Sequence, residues 1–253
     1  MRQHLPATWS IIALDQTGAE VFSHHADVVR SAASLIKVPL AWQFLESDLV
    51  TQEYTIEAED ICDVDGSLLS MMDETLPLFD IARRMVSESE NNATNIILRE
   101  LGGIHAANVW LDQHGWTAIH WQRVMLDFVA RFTGFDNTTT ARDMADVLWQ
   151  FNHARQHDQR LQPLYEWLRD SISDDKIVAG AGSHAEVAHK VGDLADVEHD
   201  AAIITLADGR WFVLVILTVD VVDVTHTRAA IADWTRRWIE QLPSDSSLRI
   251  PSG

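Results

Sequence analysis

This 253-residue sequence has little of several residue types. Cys62 is its one cysteine, which excludes a disulfide framework and fits a reducing compartment. The longest apolar run, residues 211–219, is far too short to span a bilayer as a helix. The first ten residues, MRQHLPATWS, lack the apolar segment of a signal peptide. The sequence therefore predicts no membrane partner and a cytoplasmic location, or a periplasmic or secreted one if a leader has been trimmed.

Positive charge is also scarce, because 19 Lys and Arg stand against 38 Asp and Glu, for a net charge of −19. Phosphate backbones are bound by basic patches, so this balance argues against a nucleic-acid partner. Among twelve histidines, His153 and His157 are four apart, but no third ligand follows at a recognised spacing. The histidine spacing therefore predicts no metal site, and the oligomeric state stays open.

The hydrophobic pattern predicts two β-rich ends around a helical middle. Residues 9–14 and 20–23 are the expected arms of a hairpin, joined by turn residues at 15–18, and residues 200–206 and 211–218 are β-branched runs joined by a short turn. A helix over about 225–242 follows them. Between about 40 and 180 we expect no strand. The helices expected around that middle cover residues 35–45, 78–86, 93–101, 105–114 and 141–151, the last with Thr140 and Asp143 as a capping box.

The expected architecture is of the α/β (α+β) class: an antiparallel sheet built from both chain ends, flanked by helices, with an inserted all-helical domain. We expect residues 1–43 and 178–253 to form the discontinuous α/β domain and residues 44–177 the insertion. A binding cleft is then expected where the two meet.

Lysine is the scarcest cation, since only Lys37, Lys176 and Lys190 occur and the other 16 of the 19 cations are arginines. Lys37 follows Ser34 by three residues, a spacing that puts both on one helical face. A serine hydroxyl needs a base before it can attack, and a buried lysine can become that base. Arginine cannot, because it does not deprotonate usefully. Ser34-x-x-Lys37 is therefore a candidate nucleophile and base.

Two further motifs follow in the chain. Ser89-Glu90-Asn91 places a hydroxyl and an amide two residues apart, although the same stretch is also a plausible helix N-cap. Lys190 stands in His189-Lys-Val-Gly192 on an expected strand after a loop around residues 180–182, and Gly192 leaves room for a ligand beside that strand. We expect His189, on the opposite strand face, to be structural.

Ser-x-x-Lys, Ser-Glu-Asn and Lys-Val-Gly, in this order and at these separations, resemble the active-site motifs of class A serine β-lactamases and related penicillin-recognising enzymes. The resemblance extends over most of the chain, through DGSLLS at 65–70, MVSESENNATNIILRELGG at 85–103, TTTARDMADVL at 138–148 and VAHKVG at 187–192. It implies a β-lactamase/transpeptidase-like fold and an acyl-enzyme mechanism on a small-molecule substrate, a β-lactam or another acyl donor, that needs no metal or organic cofactor.

The resemblance also implies a role for each matched residue. Ser34 would attack the carbonyl and become acylated, with Lys37 as its base or proton relay. Ser89 would pass a proton to the leaving nitrogen, and Asn91 would hydrogen-bond the substrate's amide side chain. Lys190 would hold the substrate carboxylate and help to keep nearby amines neutral.

The remaining substrate contacts come from the same motifs. The backbone N–H groups of Ser34 and Asp193 would form the oxyanion hole, and Gly192 would border it. Val191 stands where the family usually has threonine or serine, so a hydroxyl toward the substrate carboxylate is missing, a loss of about 1.5–3 kcal/mol. Glu90 replaces the usual aspartate, keeps its charge, and is expected among the substrate-binding residues.

The most serious departure concerns deacylation. Class A enzymes carry a glutamate before the TTTARDM segment that orients the hydrolytic water, and alignment on Arg123 puts Met125 in its place. Asp127 is the only carboxylate close by; it is either a substitute base or a partner for Arg123 or Arg131. His199 is a candidate for the arginine that some class A enzymes direct at the substrate carboxylate.

Three functions remain open on these residues: a class A-like β-lactamase, a related serine esterase or amidase, or an acylated penicillin-binding sensor with slow deacylation. The two tyrosines do not form Tyr-x-Asn, and no Gly-x-Ser-x-Gly occurs, so class C machinery and an α/β-hydrolase elbow are not supported.

Overall fold

A computed structural model describes residues 8–242. Its strands are β1 (Trp9–Asp15), β2 (Glu20–His24), β3 (Arg30–Ser31), β4 (Glu53–Thr55), β5 (Thr75–Pro77), β6 (Thr138–Thr139), β7 (Ala185–Leu194), β8 (Val197–Leu206) and β9 (Trp211–Thr218). Its α-helices are α1 (Lys37–Leu45), α2 (Leu78–Ser87), α3 (Asn91–Glu100), α4 (Gly103–Gln113), α5 (Phe128–Phe132), α6 (Ala141–Ala154), α7 (Gln162–Arg169), α8 (Ile177–Ala181) and α9 (Val224–Glu240).

The main sheet joins the two ends of the chain. Its order is β2-β1-β9-β8-β7, and every neighbouring pair is antiparallel. Hairpins connect β1 with β2 and β8 with β9, as the turn residues between these segments predict. The early strand β1 reaches the late strands through β9, with Ile12 opposite Val215. The expectation of an antiparallel sheet built from both termini is therefore confirmed.

The two faces of this sheet are covered by different helices. Successive side chains of a strand point to opposite faces. Ile12 and Leu14 accordingly pack into the larger core, shared with helices α1 to α4, α6 and α7, while Ile11 and Ala13 pack into the smaller core. The smaller core is closed by Trp234 and its neighbours on α9. The middle of the chain is thus packed on one face and the C-terminal helix on the other.

The helical middle is less purely helical than we expected. It contains the short strands β4, β5 and β6, which pair as β4 with β5 and β3 with β6. The prediction of no strand between 40 and 180 was therefore wrong, because segments of two or three residues have no periodicity to detect. The expected loop around 180–182 is also partly wrong, since Gly180 lies inside α8.

Other helices appear where the sequence predicted them, with ends shifted by a few residues. Thr140 caps α6 by accepting a hydrogen bond from the Asp143 amide at 3.0 Å. Short helices α5, α7 and α8 were not predicted. Within residues 8–242, no helix has the length and apolar character that crossing a membrane requires. The cytoplasmic location stays a prediction.

Candidate active site

Ser34 lies in a 3-10 helix, Ala33–Ile36, that leads directly into α1 at Lys37. A 3-10 helix has three residues per turn, so side chains three apart lie one above the other. Ser34 and Lys37 are therefore stacked on one face. The turn packs closely on β7: a Cβ added to Gly192 would lie 3.1 Å from the Ala33 Cβ and 3.3 Å from the Ser34 nitrogen. We expected Gly192 to leave room for a ligand. In the structure it makes room for this turn.

The backbone around the cleft is strained at three residues. Ala33, Ser89 and Leu126 have φ values of 44°, 56° and 64°, in the left-handed region that non-glycine residues seldom adopt. All three line one cleft. Such strain costs on the order of 1–3 kcal/mol per residue and persists only where surrounding contacts hold it. The segments carrying Ser34 and Ser89 are therefore held in place by their surroundings.

The Lys37 side chain is completely buried and reaches the second motif. Its Nζ donates to the Ser89 carbonyl at 2.7 Å and to the Asn91 Oδ1 at 2.9 Å, and it lies 3.3 Å from the Ser89 Oγ. Within the described residues, Ser34 is not among the hydrogen-bond partners of this amine. Burial, followed by repulsion from Lys190, holds the pKa of Lys37 well below its usual range. A neutral amine that donates two hydrogens to these oxygens keeps its lone pair for a proton.

The Ser89-Glu90-Asn91 segment connects α2 to α3, and its three side chains take different directions. Asn91 faces Lys37, because its Nδ2 donates to the Asp63 Oδ2 at 2.8 Å and turns Oδ1 toward the amine. Glu90 is buried and caps α3 by accepting from the Ala93 amide. Burial raises the pKa of Glu90. The stretch is thus a helix N-cap, but the cap residue is Glu90, whereas the sequence indicated Asn91 or Asn92. The predicted substrate contact of Glu90 has no support, since this side chain does not line the cleft.

Lys190 lies on β7, completely buried, and donates to the Val191 carbonyl at 3.0 Å. Burial lowers the pKa of Lys190 to about 8, despite the opposing field of Asp193 and Asp200. It is close enough to Lys37 to lower that pKa too. His189 is buried and pairs with Asp200 at 2.8 Å, in keeping with the structural role that we expected.

The third lysine belongs to a charge cluster that sequence reasoning missed. Lys176 is completely buried, contacts an oxygen of Asp193, and lies 2.7 Å from the Glu198 Oε2. Arg228 bonds the same two carboxylates, at 3.3 Å for Asp193 and 2.9 Å for Glu198. We name Lys176, Asp193, Glu198 and Arg228 the β7-end cluster. The scarcity of lysine was a usable signal for it, because all three lysines of the chain are buried here.

Asp127 is not placed as a substitute base. It precedes α5 and caps it, with Oδ1 accepting from the Ala130 amide at 2.9 Å. The expected salt bridges of Asp127 are also wrong, since both Arg123 and Arg131 pair with Asp136 instead, at 2.9 and 3.2 Å. The place of the family's glutamate is filled by Met125, whose side chain lines the cleft.

His199 is likewise not available to a substrate carboxylate. Its side chain is completely buried, its Nδ1 accepts from the Thr218 amide at 3.0 Å, and its Nε2 lies 2.8 Å from the Ser31 carbonyl. Accepting at Nδ1 leaves the proton on Nε2, so the ring is neutral. Burial lowers the pKa of His199 to about 4. The histidine joins β8, β9 and β3, and the substrate-binding prediction was wrong because sequence position does not reveal side-chain direction.

The cleft itself has a volume of about 540 Å³. Five predicted site residues line it: Ser34, Ser89, Asn91, Val191 and Asp193. Its other walls are mainly apolar, from residues of the 125–132 segment, Ile172 and Leu194. Lys37 and Lys190 lie buried behind these walls. Across residues 8–242, no group of three or more His, Cys, Asp or Glu side chains is arranged to hold a metal ion.

Comparison with known proteins agrees with these motifs. The family model described as "Beta-lactamase enzyme family" matches residues 2–242. "Beta-lactamase 3" of Bacillus cereus is 26% identical over 244 residues, covering 93% of this chain and 77% of that protein. A "Beta-lactamase" of Bacillus licheniformis is 24% identical, covering 93% of this chain and 80% of that protein.

Solved structures share the fold at low sequence identity. A variant of the last common ancestor of Gram-negative class A β-lactamases has a TM-score of 0.84 at 21% identity, over 92% of this chain and 91% of that one. The structure titled "Structure of PBP-A" has a TM-score of 0.82 at 22% identity, over 95% and 93%. The predicted β-lactamase/transpeptidase-like fold and the serine hydrolase assignment are confirmed, and this chain belongs to the β-lactamase enzyme family.

Proposed function

We propose that this protein is a class A-like serine β-lactamase that opens the β-lactam amide through an acyl-enzyme on Ser34. The observation that carries the proposal is the Lys37 amine, buried, with a lowered pKa, and bonded to Ser89 and Asn91 behind the cleft that Ser34 lines. A neutral amine in this position can take the hydroxyl proton that makes serine a poor nucleophile.

In the acylation step, the Ser34 Oγ forms a bond to the lactam carbonyl carbon and its proton passes to Lys37. The oxyanion is held by the backbone N–H groups of Ser34 and Asp193, each worth on the order of 10²–10³ in rate. The C–N bond then breaks, and the Ser89 hydroxyl hands a proton to the leaving nitrogen while recovering one from Lys37. Asn91 orients the acyl side chain, and Lys190 contributes positive charge near Lys37.

Deacylation needs a water molecule and a base, and here the local chemistry differs from the family pattern. Met125 has no proton acceptor, and the Asp127 carboxylate is occupied in capping α5. This observation favours a second candidate function, a penicillin-binding protein whose acyl-enzyme persists. An esterase or amidase acting on other acyl donors is the third possibility.

We also propose that the cleft is formed between a discontinuous α/β domain and an inserted helical domain, residues 44–177. Of the α/β domain predicted over residues 1–43 and 178–253, the structure describes residues 8–43 and 178–242. The lining supports this division, because Ser34 and Val191 come from the first part and Ser89 and Met125 from the second.

Intact-mass spectrometry after mixing with benzylpenicillin, and separately with a short p-nitrophenyl ester, tests the proposal. We expect a covalent adduct that is absent in Ser34→Ala and retained in Ser173→Ala, a matched change of another serine lining the cleft. Rapid loss of the adduct with consumption of penicillin supports the β-lactamase. A lasting penicilloyl adduct supports the binding protein, and ester turnover without a penicillin adduct supports the esterase. An adduct that survives in Ser34→Ala would contradict the proposal.

A further inference from the structure

The end of β7 carries an acidic residue into the cleft. Val191 and Asp193 alternate along the strand and both line the cleft with Ser34. Val191 offers only methyl groups, and the Asp193 side chain keeps 36% of its surface exposed. In the family that this chain resembles, the corresponding strand holds the substrate carboxylate. This inference rests on the proposed acylation of Ser34 and concerns which substrates reach it.

The cations around the cleft are already partnered. Arg123 and Arg131 share Asp136, and Arg131 also bonds Asp196 at 2.8 Å. Lys190 is completely buried and turned toward the Val191 carbonyl. Of the described cationic side chains that line the cleft, each is therefore in an ion pair.

The β7-end cluster, taken together with Asp175, has one negative charge in excess. Lys176 and Arg228 carry two positive charges between them, whereas Asp193, Glu198 and Asp175 carry three negative charges, the last 2.9 Å from Arg228. The two cations are thus fully matched by carboxylates. A second carboxylate brought beside Asp193 would meet its repulsion, and Lys190, which has no carboxylate partner among the described residues, is completely buried behind the cleft wall and bonded to the Val191 carbonyl.

We infer that this site selects acyl donors without a carboxylate on the leaving-group side, and that Asp193 is the residue that discriminates against the anion. The preferred substrate is an ester or strained amide that is uncharged at the end of the cleft bounded by Val191 and Asp193. Its acyl part lies along the apolar wall that includes Met125 and Leu194.

Two matched pairs of acyl donors test this inference. The first is benzylpenicillin and its methyl ester, which share the reacting amide. The second is the phenylacetyl ester of 3-hydroxybenzoate and that of 3-hydroxybenzamide. The second-order rate constant for acylation, divided by the rate constant with hydroxide, is measured for each. We expect the neutral member of each pair to acylate about tenfold faster, a difference of about 1.4 kcal/mol.

Asp193→Asn keeps the backbone N–H and removes the charge, so the ratio of neutral to anionic rates should fall toward one. Lys176 retains Glu198 and the His199 carbonyl as partners in this variant. Asp175→Asn is the matched control, because Asp175 contacts the same Arg228 but does not line the cleft. It should leave the ratio unchanged. Added salt should bring the ratio of neutral to anionic rates in the wild type closer to one, because the site is partly open to solvent and its charges are screened.

The outcomes separate this inference from the proposed function. Ser34 adducts that form faster with the anionic probes would overturn the inference and leave the acyl-enzyme mechanism intact. A ratio that is unaltered in Asp193→Asn, or altered equally in Asp175→Asn, would overturn the role of Asp193. Absence of a Ser34 adduct with all four probes would refute the proposed function and this inference with it.

Discussion

Two buried lysines have opposite chemical surroundings. Lys37 is surrounded by a hydroxyl, a backbone carbonyl and an amide, whereas Lys176 contacts the carboxylates of Asp193 and Glu198. Burial penalises the charged form of both amines. At Lys37 this penalty is the largest effect on the amine, and it lowers the pKa of Lys37. The amine of Lys176 instead has the Asp193 and Glu198 carboxylates in direct contact. The same residue type is therefore suited to be a base in one region and a structural cation in the other.

Lys190 is intermediate between these two. It is buried like the others, and its pKa of about 8 leaves it charged at neutral pH but close to losing its proton. Its nearest acceptor is the neutral Val191 carbonyl at 3.0 Å. An ammonium group there repels a second charge at Lys37. We therefore expect substitution of each lysine to change the acylation rate and the free energy of unfolding in a different combination.

The largest expected effect is on the rate of acylation in Lys37→Met. Loss of the proton acceptor should slow formation of the Ser34 adduct about 10³-fold, within the range for general base catalysis. The free energy of unfolding should not fall, because an apolar side chain removes the desolvation penalty of the buried amine. Rapid-quench mass spectrometry and urea unfolding measure the two quantities.

Lys37→Arg is the control for this prediction, since it keeps a cation but cannot supply a lone pair. It should be as slow as Lys37→Met. A rate within tenfold of wild type in either variant would show that another group removes the Ser34 proton.

Lys176→Met should give the opposite result, a loss of stability with acylation much less affected than in Lys37→Met. Removing one member of a buried ion pair leaves Glu198, which is only 2% exposed, with Arg228 as its remaining cation. We expect the free energy of unfolding to fall by about 3 kcal/mol. Arg160→Met, which removes an exposed ion pair with Asp158, should leave it nearly unchanged, because solvent screens exposed pairs. Equal losses in the two variants would contradict the structural role of Lys176.

Lys190→Met should raise the free energy of unfolding, but only at pH values at which this lysine is charged in the unfolded chain. The folded-state pKa of about 8 lies below the ordinary value of 10.5, so the unfolded chain binds more protons between these values. The cost of burying this lysine is therefore complete below pH 8 and disappears as the pH rises toward 10.5. The gap of about 2.5 pKa units corresponds to about 3 kcal/mol, less about 1 kcal/mol for the lost hydrogen bond.

We therefore expect Lys190→Met to unfold with a free energy about 2 kcal/mol higher than wild type at pH 6. At pH 10 the difference should be close to zero or slightly reversed. Urea denaturation at both pH values provides the measurement, and a pH-independent difference would show that the lysine is not buried as a strained cation.

The sequence predicted the parts of the site that depend on short-range order. Ser34 and Lys37 are three residues apart on one turn, so their proximity follows from helical geometry alone. The strands at both chain ends were visible because runs of apolar and β-branched residues, separated by turn residues, stand out there. By contrast, β4, β5 and β6 are too short to carry a pattern and exist through their pairing.

What the sequence could not predict was which groups would face each other across the fold. His199 was expected to face the substrate, yet it contacts Ser31, a residue 168 positions earlier in the chain. The cluster around Lys176 joins the start of α8, the end of β7, β8 and α9, and no local spacing connects these segments. Side-chain direction and long-range charge pairing are properties of the tertiary structure.

The smallest effect is expected in Asp127→Asn, because this carboxylate caps a helix and does not line the cleft. Asn and Asp are nearly equal as N-caps, so the bond to the Ala130 amide should be kept and stability should change by a few tenths of a kcal/mol. Asp127→Ala should cost about 1 kcal/mol through loss of the cap. Because the carboxylate is engaged away from the cleft, the deacylation rate should stay within twofold of wild type in both variants. A tenfold slower decay of the Ser34 adduct in Asp127→Asn, with unfolding unchanged, would instead make Asp127 the base that replaces the missing glutamate.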